Sequence, residues 1–209
     1  CGSTNLRVAA VDERGRIIAQ ASEPNSPVPQ QGHERWLVWD LDAIWAKLCR
    51  LSNAVVGRLE GSKPAAVAVT TWGADGALVD RQGRLVYPAI SWQCQRTREV
   101  VPEVLEMVSP SEIFRITGYQ VIYFNTLFKL YWIRKHAPEA LEKAYTWLMM
   151  PGLVAHRLCG EFHIDPTSAS TMMAMDLGRR DWSPQMLSIV GLDPGFLPEW
   201  VEPGEVVGY

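Results

Sequence analysis

One stretch constrains the fold more than any other: Asp40 followed by Leu41, Ile44, Trp45, Leu48, Leu51, Val55 and Leu59, apolar positions that recur at the 3.6-residue helical period. Asp40 suits the N-cap of this helix, because its carboxylate can accept an amide of the first turn. Gly61 and Pro64 are expected to close it. On either side lie runs of strand length. Leu6 to Val11 and Arg16 to Ala21 flank the turn Asp12-Glu13-Arg14-Gly15 and read as a β-hairpin. Ala65 to Thr70 is a continuous apolar run and reads as a strand buried on both faces. A hairpin, a helix and then a buried strand exclude an all-helical bundle and an all-β sandwich. They call for an α/β domain with a mixed sheet flanked by helices.

The remaining chain fits that class. Pro24 to Gly32 carries three prolines and is expected to be a surface loop. Leu78 to Val86 reads as a hairpin about Asp80-Arg81-Gln82-Gly83. Helices are expected over Arg96 to Met107, from Ser111, and over Thr126 to Lys135 behind an Asn125 cap. Another is expected from Pro138, which suits a first turn. Thr146 to Met150 reads as a second buried strand leading into a helix over Gly152 to Leu158, which Gly160 stops. Ser183 to Val190 is a last short helix, and no internal repeat or low-complexity tract occurs.

Composition narrows the function. Of 209 residues, 47% are apolar, enough for a sizeable core and too many for a disordered chain. Lys and Arg total 20 against 23 Asp and Glu, a net charge of −3, so the concentrated positive field of a nucleic-acid surface is missing. No run approaches the about 18 apolar residues of a membrane span, and the polar opening Gly2-Ser3-Thr4-Asn5 does not read as a secretory signal. Cys1, Cys49, Cys94 and Cys159 are far apart and form no CxxC pair. With four scattered His, a zinc site lacks a framework. Reduced thiols and a cytoplasmic location are the expectation. The first residue is Cys rather than Met, and the chain stops at Tyr209 without a terminal helix, so it is expected to be a piece of a longer parent.

Several short motifs suggest ligands, each with a purely structural alternative. In Gly2-Ser3-Thr4-Asn5-Leu6-Arg7 the glycine permits close backbone approach, while hydroxyls, amides and a guanidinium suit phosphate oxygens. A polar hairpin turn uses the same residues. Gly57 to Lys63 superficially resembles a P-loop. Its glycine spacing is one short, Pro64 stands where Ser or Thr belongs, and it follows a helix, so that reading is rejected. Thr70-Thr71-Trp72-Gly73-Ala74-Asp75-Gly76 follows an expected strand, where α/β folds place ligand loops. There Asp75 can accept sugar hydroxyls and Trp72 can pack on a sugar face, or the pair can be an Asp-Gly turn beside a core indole.

Ser91-Trp92-Gln93-Cys94-Gln95-Arg96 offers Trp92 as a ligand wall, whereas Trp36, Trp45, Trp132 and Trp147 read as packing. Tyr123-Phe124-Asn125-Thr126 offers a tyrosine and an amide ahead of a helix, with capping as the plain role of Asn125. His156 suits a helix C-terminus, His33 and His163 have no partner identifiable in the sequence, and Met172, Met173 and Met175 read as gap-filling core. Spacing alone supports no Ser-His-Asp or Cys-His arrangement.

In this order the motifs resemble the N-terminal half of the FGGY carbohydrate kinases. The resemblance is carried by Cys1 to Arg7, Val69 to Asp80, Tyr87 to Thr97, Phe124 to Leu130, Leu158 to Phe162, Asp165 and Thr167 to Ser170, and it covers essentially all of residues 1–209 as one domain. It implies an actin-like (ribonuclease-H-like) fold, and a parent that transfers phosphate from ATP, with Mg²⁺, to the terminal hydroxyl of a ketose. L-fuculose leads the expected acceptors, with L-rhamnulose or L-xylulose as alternatives. A non-catalytic sugar-binding module of the actin-like superfamily is the competing reading, and a homodimer is one expected assembly.

By the same resemblance Trp72, Gly73, Asp75, Trp92, Tyr123 and Asn125 are expected to face the sugar, and Gly2, Thr4, Asn5 and Arg7 the phosphates. Members of the family that use glycerol carry Arg-Glu where Gly73-Ala74 stand, which argues against glycerol. The family's Asp before the position of Cys1, and its catalytic Asp in a glycine-rich segment expected past Tyr209, are not among these residues. No catalytic residue is therefore assigned within the chain, and the isolated piece is expected to be inactive.

Overall fold

The computed structural model describes residues 1–209. The chain divides into two compact units, residues 1–28 with 39–72, and residues 29–38 with 73–209.

In the first unit, β1 (Asn5–Val11) and β2 (Ile17–Pro24) form the expected antiparallel hairpin, with Asn5 opposite Pro24 and Ala10 opposite Ala19. Asp12 makes the turn: its Oδ1 accepts from the amides of Arg14 (3.0 Å) and Arg16 (2.9 Å), the local bonding that favours Asp in turns. Helix α1 (Leu41–Val56) starts where expected, with Asp40 Oδ1 accepting from Ala43 N at 2.9 Å. It lays Val55 over Ala19, with Val8, Ala10 and Ala21 packed alongside. The helix ends at Gly57, whose N–H reaches Asn53 O at 3.0 Å, so Gly61 and Pro64 lie beyond it.

The expected buried strand over Ala65 to Thr70 does not form. These residues make no strand pairing and are largely exposed, Val67 to 73%. Apolar composition makes a strand possible, and only a ladder partner makes one. The β1–β2 sheet is two-stranded, so no partner is supplied to this run.

In the second unit the proline-rich loop contains a short strand. Strand β3 (Val28–Gln30) joins β4 (His33–Trp39) and β6 (Ala89–Ile90) in the order β3-β4-β6. Its core is the antiparallel pair β5 (Gly76–Val79) and β7 (Thr146–Met149), buried along their whole length with Gly76 opposite Met149. Beyond β5, Val79 bridges to Leu85 across the expected turn. A 3₁₀ turn over Arg96–Val100 leads into α2 (Val101–Met107). Next comes α3 (Pro110–Thr117), capped by Ser109 and closed by left-handed Gly118.

Helix α4 (Thr126–His136) passes through the centre, buried on nearly every side by Leu127, Phe128, Lys129, Leu130, Trp132 and Ile133. The helices α5 (Pro138–Lys143), α6 (Met150–Cys159, stopped by left-handed Gly160) and α7 (Pro166–Ser170) follow. Strand β8 (His163–Ile164) runs parallel to β11 (Glu199–Trp200), and β9 (Met175–Asp176) antiparallel to β10 (Asp181–Trp182). Helix α8 (Pro184–Ile189) is capped by Ser183. Met172, Met173 and Met175 are buried in this core, as expected of gap-filling methionines. The result is an α/β fold whose sheets are small.

Candidate functional site

The residues expected to meet phosphate sit in the first unit. Gly2 N donates to Asn5 O at 2.8 Å, closing a tight turn ahead of β1, and Asn25 Nδ2 holds Gly2 O at 3.1 Å. A Cβ at position 2 would lie 2.7 Å from Asn5 O, so the turn requires glycine. Thr4, Asn5 and Arg7 are exposed on it. Their donors are of a kind that suits phosphate oxygens. No three His, Cys, Asp or Glu side chains come together as a ready-made metal cluster. Trp72 also belongs to this unit, half-buried with its ring 4.6 Å from that of Trp39.

The other residues expected at the sugar lie in the second unit, and the structure joins them in one network. Gly73 is exposed, with Thr171 packed beneath its Cα. Ala74 follows in a left-handed conformation (φ +65°), unusual for a residue with a Cβ. Its N–H donates to Thr171 Oγ1 at 2.9 Å, and its carbonyl accepts from Thr126 Oγ1 (3.1 Å) and Lys129 Nζ (2.8 Å). Asp75 is fully buried: Oδ1 pairs with Lys129 Nζ, and Oδ2 accepts from Trp92 N at 3.1 Å. Its carboxylate thus ties the loop to the wall at Trp92. Burial pushes the Lys129 ammonium below its ordinary pKa, and the charge of Asp75 opposes that shift.

The wall is aromatic. Trp92 and Tyr123 each meet the edge of Phe124, at 5.8 and 5.3 Å between ring centroids. Tyr123 Oη accepts from Gln95 Nε2 at 2.8 Å, and the Arg98 guanidinium lies 4.0 Å over the Tyr123 ring. Trp92, Gln93 and Tyr123 are half-buried.

Asn125 departs from expectation. It occupies the N-cap position of α4, yet its side chain caps nothing. Instead Nδ2 reaches Thr171 O at 3.0 Å, and Oδ1 is buried with no partner. A buried acceptor without a donor is rare, and it leaves the hydrogen bonding of this network incomplete. Weak capping of α4 is tolerable because packing on nearly all its sides holds the helix.

Sequence reading missed Thr126, Lys129 and Thr171, which carry the network. The signal for Lys129 was a single cation inside Leu127-Phe128-Lys129-Leu130-Tyr131-Trp132-Ile133, where a lysine has no water to enter. The arrangement can bind and orient a polyhydroxylated ligand. The carboxylate at its centre is held by a cation and an amide.

Comparison with known proteins agrees with this architecture. The model of the FGGY family of carbohydrate kinases, N-terminal domain, matches residues 1–209. The L-fuculokinase of Escherichia coli (strain K12) is 41% identical over 208 residues, all of this chain and 44% of that protein. The L-fuculokinase of Haemophilus influenzae is 33% identical over 215 residues, covering 100% of this chain and 45% of that protein. The chain therefore spans less than half the length of these curated relatives. Among solved structures, gluconate kinase from Lactobacillus acidophilus superposes with a TM-score of 0.89 at 19% identity, covering 99% of this chain and 41% of that one. Xylulose kinase from Rhodospirillum rubrum gives 0.89 at 21% identity, covering 99% and 43%. The fold is the one these kinases share, as the resemblance implied.

Proposed function

The chain belongs to the FGGY family of carbohydrate kinases, and from that premise we propose that it is the sugar-binding N-terminal domain of an ATP-dependent ketose kinase, with L-fuculose the acceptor. The observation that carries this reading is the 41% identity to an L-fuculokinase across the whole chain. The unbroken family match over residues 1–209 supports treating them as one domain.

Residue roles follow from the chemistry of each position. Gly2, Thr4, Asn5 and Arg7 meet the phosphates of ATP, whose bound γ-phosphoryl is the group transferred. Gly73, Trp92, Tyr123 and Asn125 meet the sugar: the Trp92 indole by packing on its apolar face, Asn125 Oδ1 by accepting from a hydroxyl. Trp72, in the other unit, is kept as a sugar-facing residue on the family resemblance alone. Asp75 belongs to the same site and acts on it through the loop and the Trp92 amide. These contacts orient the acceptor, which is the part of phosphoryl transfer that positioning supplies. A cytosolic setting accords with four free cysteines.

The test is ADP release over a panel of ketoses, using the protein at its full natural length. L-fuculose is expected to lead the panel, and Asp75→Ala to abolish sugar turnover while leaving ATP binding intact. If no ketose elicits ADP release, the kinase reading falls and a sugar-binding module takes its place. If L-rhamnulose or L-xylulose leads, the reaction stands and the acceptor changes.

A further inference from the structure

We propose that Lys129, with Thr126 and Thr171, forms a positioning set that fixes the loop Gly73–Asp75 and, through Asp75, the backbone at Trp92. This rests on the reading of that loop as part of the sugar site.

Thr126 and Lys129 are three residues apart on α4 and so share one face of the helix. Both donate to the same acceptor, Ala74 O, at 3.1 and 2.8 Å. Thr171, from the segment after α7, takes the Ala74 N–H at 2.9 Å. Both backbone groups of a residue held in the left-handed region are thus claimed by side chains from two separate elements. Such a conformation persists only where its surroundings over-determine it. Lys129 has a second task one residue on, where its ammonium meets Asp75 Oδ1 while Asp75 Oδ2 holds Trp92 N.

A wholly buried ion pair is a poor choice for stability, because packed apolar side chains in place of both partners would spare the desolvation of two charges. The placement of the ammonium accounts for its presence. It joins a loop carbonyl, a loop carboxylate and, through the carboxylate, the aromatic wall. The three residues are positioning residues, since the contacts that define them are with the loop.

The test uses the full-length protein carrying Lys129→Met, with amide hydrogen exchange as a readout independent of activity. Exchange at Trp92 is expected to quicken at least tenfold more than at Leu130 and Ile133, whose protection follows the stability of the whole fold. In the kinetic arm, the KM for L-fuculose is expected to rise at least tenfold, with the KM for ATP within twofold of the parent. Unchanged exchange at Trp92, or equal loss of protection through α4, would overturn the proposal and leave Lys129 a purely structural residue. Should Lys129→Met fail to fold, Thr171→Val, nearly the same in shape, carries the same test at the Ala74 amide.

The two readings fail separately. If exchange responds locally but the parent phosphorylates no ketose, the kinase reading fails and the positioning set stands. If the parent uses L-fuculose and the variants keep its KM, the positioning set fails and the kinase reading stands.

Discussion

Lys129 and Asp75 form an ion pair from which water is excluded, both side chains being 0% exposed. The pair links the central helix α4 to the loop that leads into β5, and each partner has further work: Lys129 on Ala74 O, Asp75 on Trp92 N. A charge taken out of water in this way is tolerable only while its partner remains.

Breaking the pair from one side is therefore costly. Lys129→Met is expected to lower the unfolding free energy by about 3–5 kcal/mol, because it strands the Asp75 carboxylate in the core. Combining it with Asp75→Asn removes that stranded charge, so the double variant is expected to be more stable than Lys129→Met alone. Urea unfolding of both singles and the double closes the cycle. Simple additivity of the two losses would contradict the coupling.

Arg96 is a second buried cation, solved differently. Its guanidinium lies 4.4 Å from the ring of Trp36 and 5.2 Å from that of Trp132, while Nη1 donates to Gln30 Oε1 at 2.9 Å. A lysine offers neither a planar face nor a fork, so Arg96→Lys is expected to cost about 2 kcal/mol despite keeping the charge. A denaturation midpoint equal to the parent's would show that charge alone suffices there.

The two apparent caps, Asp40 and Asn125, should respond differently. Asp40→Ala is expected to cost about 1 kcal/mol, the usual loss for a working cap. At Asn125 the telling substitution is Asp, which caps helices as well as Asn does. Here it would turn a carboxylate oxygen toward the buried carbonyl of Thr171, so Asn125→Asp is expected to destabilise more than Asn125→Ala. Equal stability of Asn125→Asp and the parent, measured by thermal melting, would restore the capping role.

His163 gives stability a pH dependence. Desolvation lowers its pKa from the ordinary 6.5, against the opposing pull of Asp165 and Glu161. The native state then binds fewer protons than the unfolded chain once pH falls below that ordinary value, so this residue's contribution to stability is lost on acidification and is fully present above it. The decline from pH 7 to pH 5 is expected to be shallower in His163→Gln. An identical decline in both proteins would assign the effect to other groups.

Local chemistry was legible in the sequence wherever one residue's bonding decides the outcome. Asp12 in its turn, Asp40 as a cap, and Gly160 as a helix stop all behave as their types dictate. Legibility ended where the outcome depends on a distant partner. Residues 65–70 have the composition of a strand, but composition cannot say whether an edge is offered to them. Asn125 sits at a cap position, but only the folded chain brings Thr171 close enough to divert its amide. Gly73, Asp75, Trp92, Tyr123 and Asn125 were found as motifs, whereas Lys129, Thr126 and Thr171, which bind the motifs together, belong to no motif.

The left-handed turn at Ala74 has a consequence for recognition. The free energy of adopting that posture, about 1–2 kcal/mol for a residue with a Cβ, is met when the chain folds. If this loop takes part in the proposed sugar site, a ligand meets a backbone already committed to one posture and is spared part of the entropy of ordering it. In that proposed site the same stiffness would limit adaptability, so that discrimination between epimers would rest on steric rejection.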